Sequence, residues 1–233
     1  MAHRVAARVA SAAVVLPGRG FRRCSSSAPA VCPELQVRLP KRLRFVPPRP
    51  RHHSCPQITR EAVSPEEEAN LVAQVEKWMV RRKYEGGHFD KVITQYRELQ
   101  KPARFFSEGN KRVLERVKDN FFPADARLLP VHILDLAADG EIGLHVDHVE
   151  YSGRFIIGLS LLSDAVMRFR HESSGVHADI VLPRRSVYVM TDATRYDWAH
   201  AIPMQPKGRR ISLLFRDANP ADAAAPPPPA SPS

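Results

Sequence analysis

The sequence predicts a mainly β domain with flanking helices, in the form of a double-stranded β-helix, or jelly-roll barrel. After Pro123, six short apolar or β-branched runs follow one another with Gly, Pro, Asp or Ser between them, the signature of an antiparallel sandwich or barrel. Two amphipathic helical stretches lead these runs and none separates them, which argues against parallel βαβ layering. Both ends of the chain are low in complexity, so residues 64–216 must supply the core.

From Met1 to Pro33 the chain has five arginines, no lysine and no carboxylate, and turns serine-rich at Ser25–Ser27. An Arg-rich, acid-free, amphipathic start is the composition of a mitochondrial transit peptide, with cleavage expected between Arg23 and Pro33. Residues 34–63 read as a basic, Pro-rich linker or strap, with Pro47, Pro48 and Pro50 among Lys41, Arg42, Arg44, Arg49 and Arg51. Ser64-Pro65-Glu66-Glu67 then starts a helix: Ser64 caps, Pro65 fits the first turn and Glu67 completes a capping box. Leu71, Val72, Val75, Trp78 and Met79 form its apolar stripe. A second helix is expected over Asn110–Lys118, burying Val113, Leu114 and Val117. The strands expected are Val131–Leu136, Phe155–Leu162, Ala165–His171, Ala178–Leu182, Ser186–Met190 and Ile211–Phe215, followed by a disordered Ala/Pro tail over 217–233.

The formal charge is +10 over 233 residues. Beyond Pro33 only 30 basic residues stand against 25 acidic ones, so the folded part is mildly basic and its charge makes no case for nucleic acid. No stretch approaches the ~20 apolar residues of a membrane span. Cys24, Cys32 and Cys55 all precede the expected core, which leaves His, Asp and Glu as the residues able to hold a metal inside it.

His145-Val146-Asp147 follows a turn region at Gly140–Gly143. On an extended backbone, residues 145 and 147 share a side. With a third ligand they would cover one face of a metal and leave positions open, as in non-haem iron(II) oxygenases. His200, before the last strand, is the best third candidate. His148 faces away from Asp147, His52 and His53 lie in the linker, and His171 and His177 flank a hairpin. His132 reads as a structural histidine. In Arg210-Ile211-Ser212-Leu213-Leu214-Phe215-Arg216, residues 210, 212 and 216 share the inward face, where an arginine is costly unless it meets an anion. A dicarboxylate suits its guanidinium. Arg209 should face the other way, into solvent.

His145-x-Asp147, His200, and Arg210 followed by five residues and Arg216 together resemble the AlkB family of iron(II)/2-oxoglutarate dioxygenases. Val131–Leu136, Gly158–Ser163, Ala193–Asp197 and Gly208–Ser212 extend the likeness, which runs from about Ser64 to Arg216. The resemblance implies that His145, Asp147 and His200 bind Fe(II). It implies that Arg210 pairs with the distal carboxylate of 2-oxoglutarate, that Ser212 and Arg216 line the same pocket, and that the Tyr188 hydroxyl reaches the co-substrate. O2 would be the oxidant, and succinate and CO2 the co-products. The chain departs from the nucleobase-repairing members at Leu134-Asp135-Leu136, where they carry Asn-x-Tyr. The stretch Asp119–Pro130 also leaves little room for a nucleotide-recognition lid, which argues against duplex DNA as substrate. The expected activity is hydroxylation of an unidentified protein substrate in the mitochondrial matrix, linked to mitochondrial function, fatty acid metabolism and cell death. Demethylation of mitochondrial RNA guided by the basic linker, and a catalytically silent interaction module, are the alternatives.

Overall fold

The computed structural model describes residues 56–87, 92–204 and 208–219. The expected transit peptide, the basic part of the linker, all three cysteines and the Ala/Pro tail lie outside these.

Helix α1 (Pro65–Met79) starts as its sequence dictates: the Glu67 amide donates to Ser64 Oγ at 3.1 Å and the Ser64 amide donates to Glu67 Oε2 at 2.8 Å. Helix α2 (Glu108–Phe121) extends the expected span at both ends and buries Val113, Leu114 and Val117. The two pack together, with Trp78 edge-on to Phe106 at 4.9 Å, and cover one face of a nine-stranded antiparallel sheet. Glu68, buried in that contact, accepts from the Leu162 amide at 2.8 Å and from Arg184 Nε at 2.8 Å, so α1 is docked by charge as well as by apolar surface.

The strands are β1 (Gln57–Thr59), β2 (Ile93–Lys101), β3 (Val131–His145), β4 (Ile156–Leu161), β5 (Ala165–His171), β6 (His177–Leu182), β7 (Val187–Met190), β8 (Trp198–Ile202) and β9 (Arg210–Arg216). Their order is β1-β7-β4-β9-β3-β8-β5-β6, with β2 also paired to β3. A five-residue helix, α3 (Asp192–Tyr196), links β7 to β8. The double-stranded β-helix is thus present, and β3 is its hinge. The first half of β3 pairs with β9, the second half with β8, with a register shift between Ile142 and His145. The site lies where the strand passes from one layer to the other.

Gly140 permits this bend. A Cβ there would sit 2.7 Å from the Gln95 carbonyl of β2 and 2.8 Å from Leu136 Cδ1. The Gly140–Gly143 segment is therefore the continuation of β3 rather than a turn, because β2 and β8 supply ladder partners there.

Three further expectations are corrected. The linker expected to run to residue 63 contains β1, which pairs with β7, and Val63 is buried. The folded body also passes Arg216: buried Asp217 accepts from the Arg154 and Phe155 amides at 3.1 and 2.8 Å. The expected strands begin at Val131, yet β2 precedes α2 and runs beside β3. Charged residues at Arg97, Glu98 and Lys101 hide its strand pattern because it pairs in a ladder on one side only.

Gly158 lies opposite Tyr188 in the β4–β7 ladder, and a Cβ at 158 would run into the Tyr188 ring. Gly158→Ala is expected to cost roughly 1–3 kcal/mol by overpacking and to displace the tyrosine. Urea denaturation together with 2-oxoglutarate titration checks both effects.

Candidate active site

His145 ends β3 and His200 sits mid-way along β8. The two are direct cross-strand partners, with ring centroids 4.4 Å apart. They meet at the barrel mouth, as their spacing in the sequence predicts, but on a strand not expected there: the Trp198-Ala199-His200-Ala201-Ile202 run is short and has few β-branched residues. Asp147, two residues past the strand, turns its carboxylate back toward them, with Oδ2 3.6 Å from His200 Nε2. One donor atom from each of the three lies within 4.8 Å of the other two.

This triad suits a divalent metal. The His145 Nδ1–H donates to the Gly143 carbonyl at 2.9 Å, which fixes the tautomer and leaves Nε2 as ligand. Burial pushes the Asp147 carboxyl up, but His200, Arg216, His145 and Arg195 around it outweigh that and hold it below the ordinary carboxylate range. His200 is pushed down to about 4, chiefly by burial and against the pull of Asp147, so at neutral pH its ring is uncharged and able to bind a metal. The permanent guanidinium charges then keep Asp147 ionised. Two imidazoles and one carboxylate form the donor set expected for non-haem iron(II).

The signs give a pH dependence for the metal-free protein. The unfolded His200 takes a proton near pH 6.5 and the folded one only near 4. Stability is therefore highest above about 6.5 and falls as the pH drops toward 4. Asp147 adds a loss in the same direction at still lower pH. Thermal melts across this range should show the fall, and His200→Gln should flatten it above pH 4.

Beside the triad, a small cavity of about 60 Å³ is lined by Tyr188, Arg210, Ser212 and Arg216 as well as the three candidate ligands. Arg210 and Ser212 are buried and face inward as expected; Ile211, Leu213 and Phe215 lie on the other face, under the helices. Arg210 Nε donates to Ser160 Oγ at 3.0 Å and the guanidinium meets the Tyr188 hydroxyl, but Nη2 is buried with no acceptor. Burial pushes Arg210 down and Tyr188 up from their ordinary values. An orphaned, buried guanidinium nitrogen is the arrangement an incoming carboxylate would complete. Arg216 Nη2 reaches Asp147 Oδ1 at 3.3 Å, tying the anion pocket to the triad.

A larger cleft of about 430 Å³ runs over β2, and His132 lines both it and the small cavity. Its charged lining consists of Glu85, Glu98, Arg82 and His132, whose Nε2 pairs with Glu98 Oε2 at 2.6 Å. His132 thus is hydrogen-bonded to a carboxylate, and His171 takes contacts from Ser173 and Ser174 at its turn.

Arg209 does point away from Arg210, but not into water. Its Nε and Nη2 donate to fully buried Asp135 at 2.7 Å each, and it also pairs with Glu76. Arg97 Nε and the Tyr84 hydroxyl complete the shell around Asp135 at 2.7 and 3.1 Å. The outer face of β3 and β9 lies beneath α1, so a charge there had to be paired. An acid in the apolar run Val131–Leu136 was the available signal for this network. Buried Arg195 was also missed, since sequence alone does not separate a buried arginine from a solvated one.

Residues 135–216 match the family model described as the 2OG-Fe(II) oxygenase superfamily. A mouse protein named alpha-ketoglutarate-dependent dioxygenase alkB homolog 7, mitochondrial, is 37% identical over 166 residues, covering 66% of this chain and 74% of its own. The solved structure of OsALKBH1 matches with a TM-score of 0.54 at 11% identity, over 69% of this chain and 97% of that one. A Pseudomonas putida prolyl-4-hydroxylase matches with a TM-score of 0.50 at 12% identity, over 70% and 92%. These two likenesses concern the fold.

Proposed function

From the premise that this chain belongs to the AlkB family of iron(II)- and 2-oxoglutarate-dependent dioxygenases, we propose that His145, Asp147 and His200 hold its iron and that it hydroxylates a protein. The enzyme uses Fe(II), 2-oxoglutarate and O2. When bound, the iron supplies the oxidising chemistry that couples decarboxylation of 2-oxoglutarate to oxidation of a C–H bond. The residues of this chain bind, orient and shield. Arg210 holds the distal carboxylate of 2-oxoglutarate through its free Nη2, with Ser212 and Arg216 beside it and the Tyr188 hydroxyl against the co-substrate. Ile156, Met167 and Leu214 keep the cavity dry.

The observation that favours protein over nucleic acid is the lining of the larger cleft, which shares His132 with the small cavity beside the triad. Two glutamates there stand against one arginine, with the His132 ring hydrogen-bonded to Glu98, and carboxylates repel a phosphate backbone. The basic linker that would support RNA binding lies outside the described residues. The mouse relative's name carries the word mitochondrial, and the acid-free, Arg-rich segment from Met1 to Pro33 reads as a transit peptide. We accordingly place the mature enzyme in the mitochondrial matrix.

Purified full-length protein with Fe(II), ascorbate and 2-oxoglutarate should be incubated with mitochondrial protein digests and, separately, with mitochondrial RNA. A +16 Da product on peptides is the expected result. Formaldehyde release with loss of methyl groups from RNA, and unchanged peptides, would overturn the protein reading in favour of demethylation.

A further inference from the structure

We propose that Arg195 is a positioning residue that aims Asp147 at the metal by clamping the backbone on which it sits; the inference rests on the assignment of Asp147 as a ligand. Asp147 stands in the segment 146–155, which has no regular secondary structure. Carbonyl groups there have no ladder to satisfy them, and a ligand on such a segment is held only as well as its backbone.

Arg195 supplies the missing donors. It is 2% exposed, and its Nη1 donates to the Asp147 carbonyl at 2.8 Å while Nη2 donates to the His148 carbonyl at 3.2 Å and to Ser152 Oγ at 3.0 Å. Ser152 Oγ in turn donates to the His148 carbonyl at 3.1 Å, closing a small ring around the start of the loop. Asp147 is thus fixed at two ends: its carbonyl by Arg195 and its carboxylate by Arg216 at 3.3 Å.

The partners of Arg195 are the unusual feature. Among the described residues its hydrogen bonds go to carbonyls and a hydroxyl, none to a carboxylate. A buried charge is held without a hydrogen-bonded counter-ion and only at longer range from the Asp147 and Asp217 carboxylates. That is a costly way to stabilise a fold, and an apolar side chain would fill the space at less expense. What the guanidinium uniquely offers is a planar fork that reaches two successive carbonyls at once. Arg195 sits on α3, five residues before His200, so the same short segment that delivers one imidazole to the site also grips the backbone that delivers the carboxylate.

The test uses full-length protein without 2-oxoglutarate. Mn(II) is titrated by calorimetry, and amide hydrogen exchange is followed over residues 146–155. Arg195→Lys keeps the charge but loses the fork; it is expected to weaken Mn(II) binding about tenfold and to speed exchange in that loop, leaving the β5–β6 hairpin unchanged. Ser152→Ala, which removes one arm, should weaken binding about threefold and decides alone if Arg195→Lys does not fold. Wild-type Mn(II) affinity and unchanged loop exchange in the variants would overturn the proposal. If instead the wild type binds no Mn(II), or His145→Ala binds it equally well, the ligand assignment itself fails.

Discussion

Asp147→Ala is expected to reduce succinate formation from 2-oxoglutarate to below about a hundredth of the wild-type rate, with the protein still melting cooperatively. Asp147 provides the only carboxylate in the triad, and two neutral imidazoles alone make a weak site for a hard divalent ion. Its side chain lies beyond the end of β3 and outside the ladder, so removing it takes nothing from the sheet. It does release Arg216 from its one carboxylate contact. Asp147→Asn keeps the shape and loses the charge; if charge is what matters, it should behave nearly as badly as the alanine variant. Succinate measured at saturating Fe(II) checks both. Substantial activity in either variant would remove Asp147 from the iron.

Arg210→Met is expected to act with opposite signs on binding and on stability. The guanidinium is fully enclosed, is pushed down from its ordinary value by that burial, and leaves Nη2 without an acceptor. In the ligand-free protein it is a cost. Replacement by an apolar side chain of similar length should leave denaturant stability unchanged or raise it by about 1 kcal/mol. For 2-oxoglutarate the same change removes the proposed partner of the distal carboxylate, worth about 3 kcal/mol or more, so the concentration for half-maximal succinate formation should rise at least about a hundredfold. Arg210→Lys restores charge without the planar fork and should recover only part of this. A 2-oxoglutarate requirement unchanged in Arg210→Met would assign the free nitrogen some other task.

Much of this was legible in the sequence because it follows from local rules. The capping box at Ser64–Glu67, the apolar stripes of both helices and the even spacing of Arg210, Ser212 and Arg216 each depend on a few neighbouring residues, and each has its expected structural counterpart. The His145–Asp147 pair is legible for the same reason. What escaped depends on tertiary partners. The cross-strand pairing of His145 with His200 requires the register of β8, whose two alanines and central histidine lack the β-branched pattern that marks a strand. Asp135, Arg97 and Arg209 look like scattered surface charges until α1 is laid over them. β2 is masked by its own charged residues. The shape of the acidic cleft arises from β2 and β3 lying side by side and has no sequence signature at all.

The pairing of Gln57–Thr59 with β7 sets a limit on how far the chain can be trimmed. Ile58 stands directly opposite Tyr188, the residue packed on Gly158 in the small cavity beside the triad. A processing protease cutting anywhere before Pro56 leaves that ladder whole. A cut at the start of α1 would strip the outer strand and leave one edge of β7 unpaired. Any trimming of the N-terminus that keeps this ladder must therefore fall before Pro56.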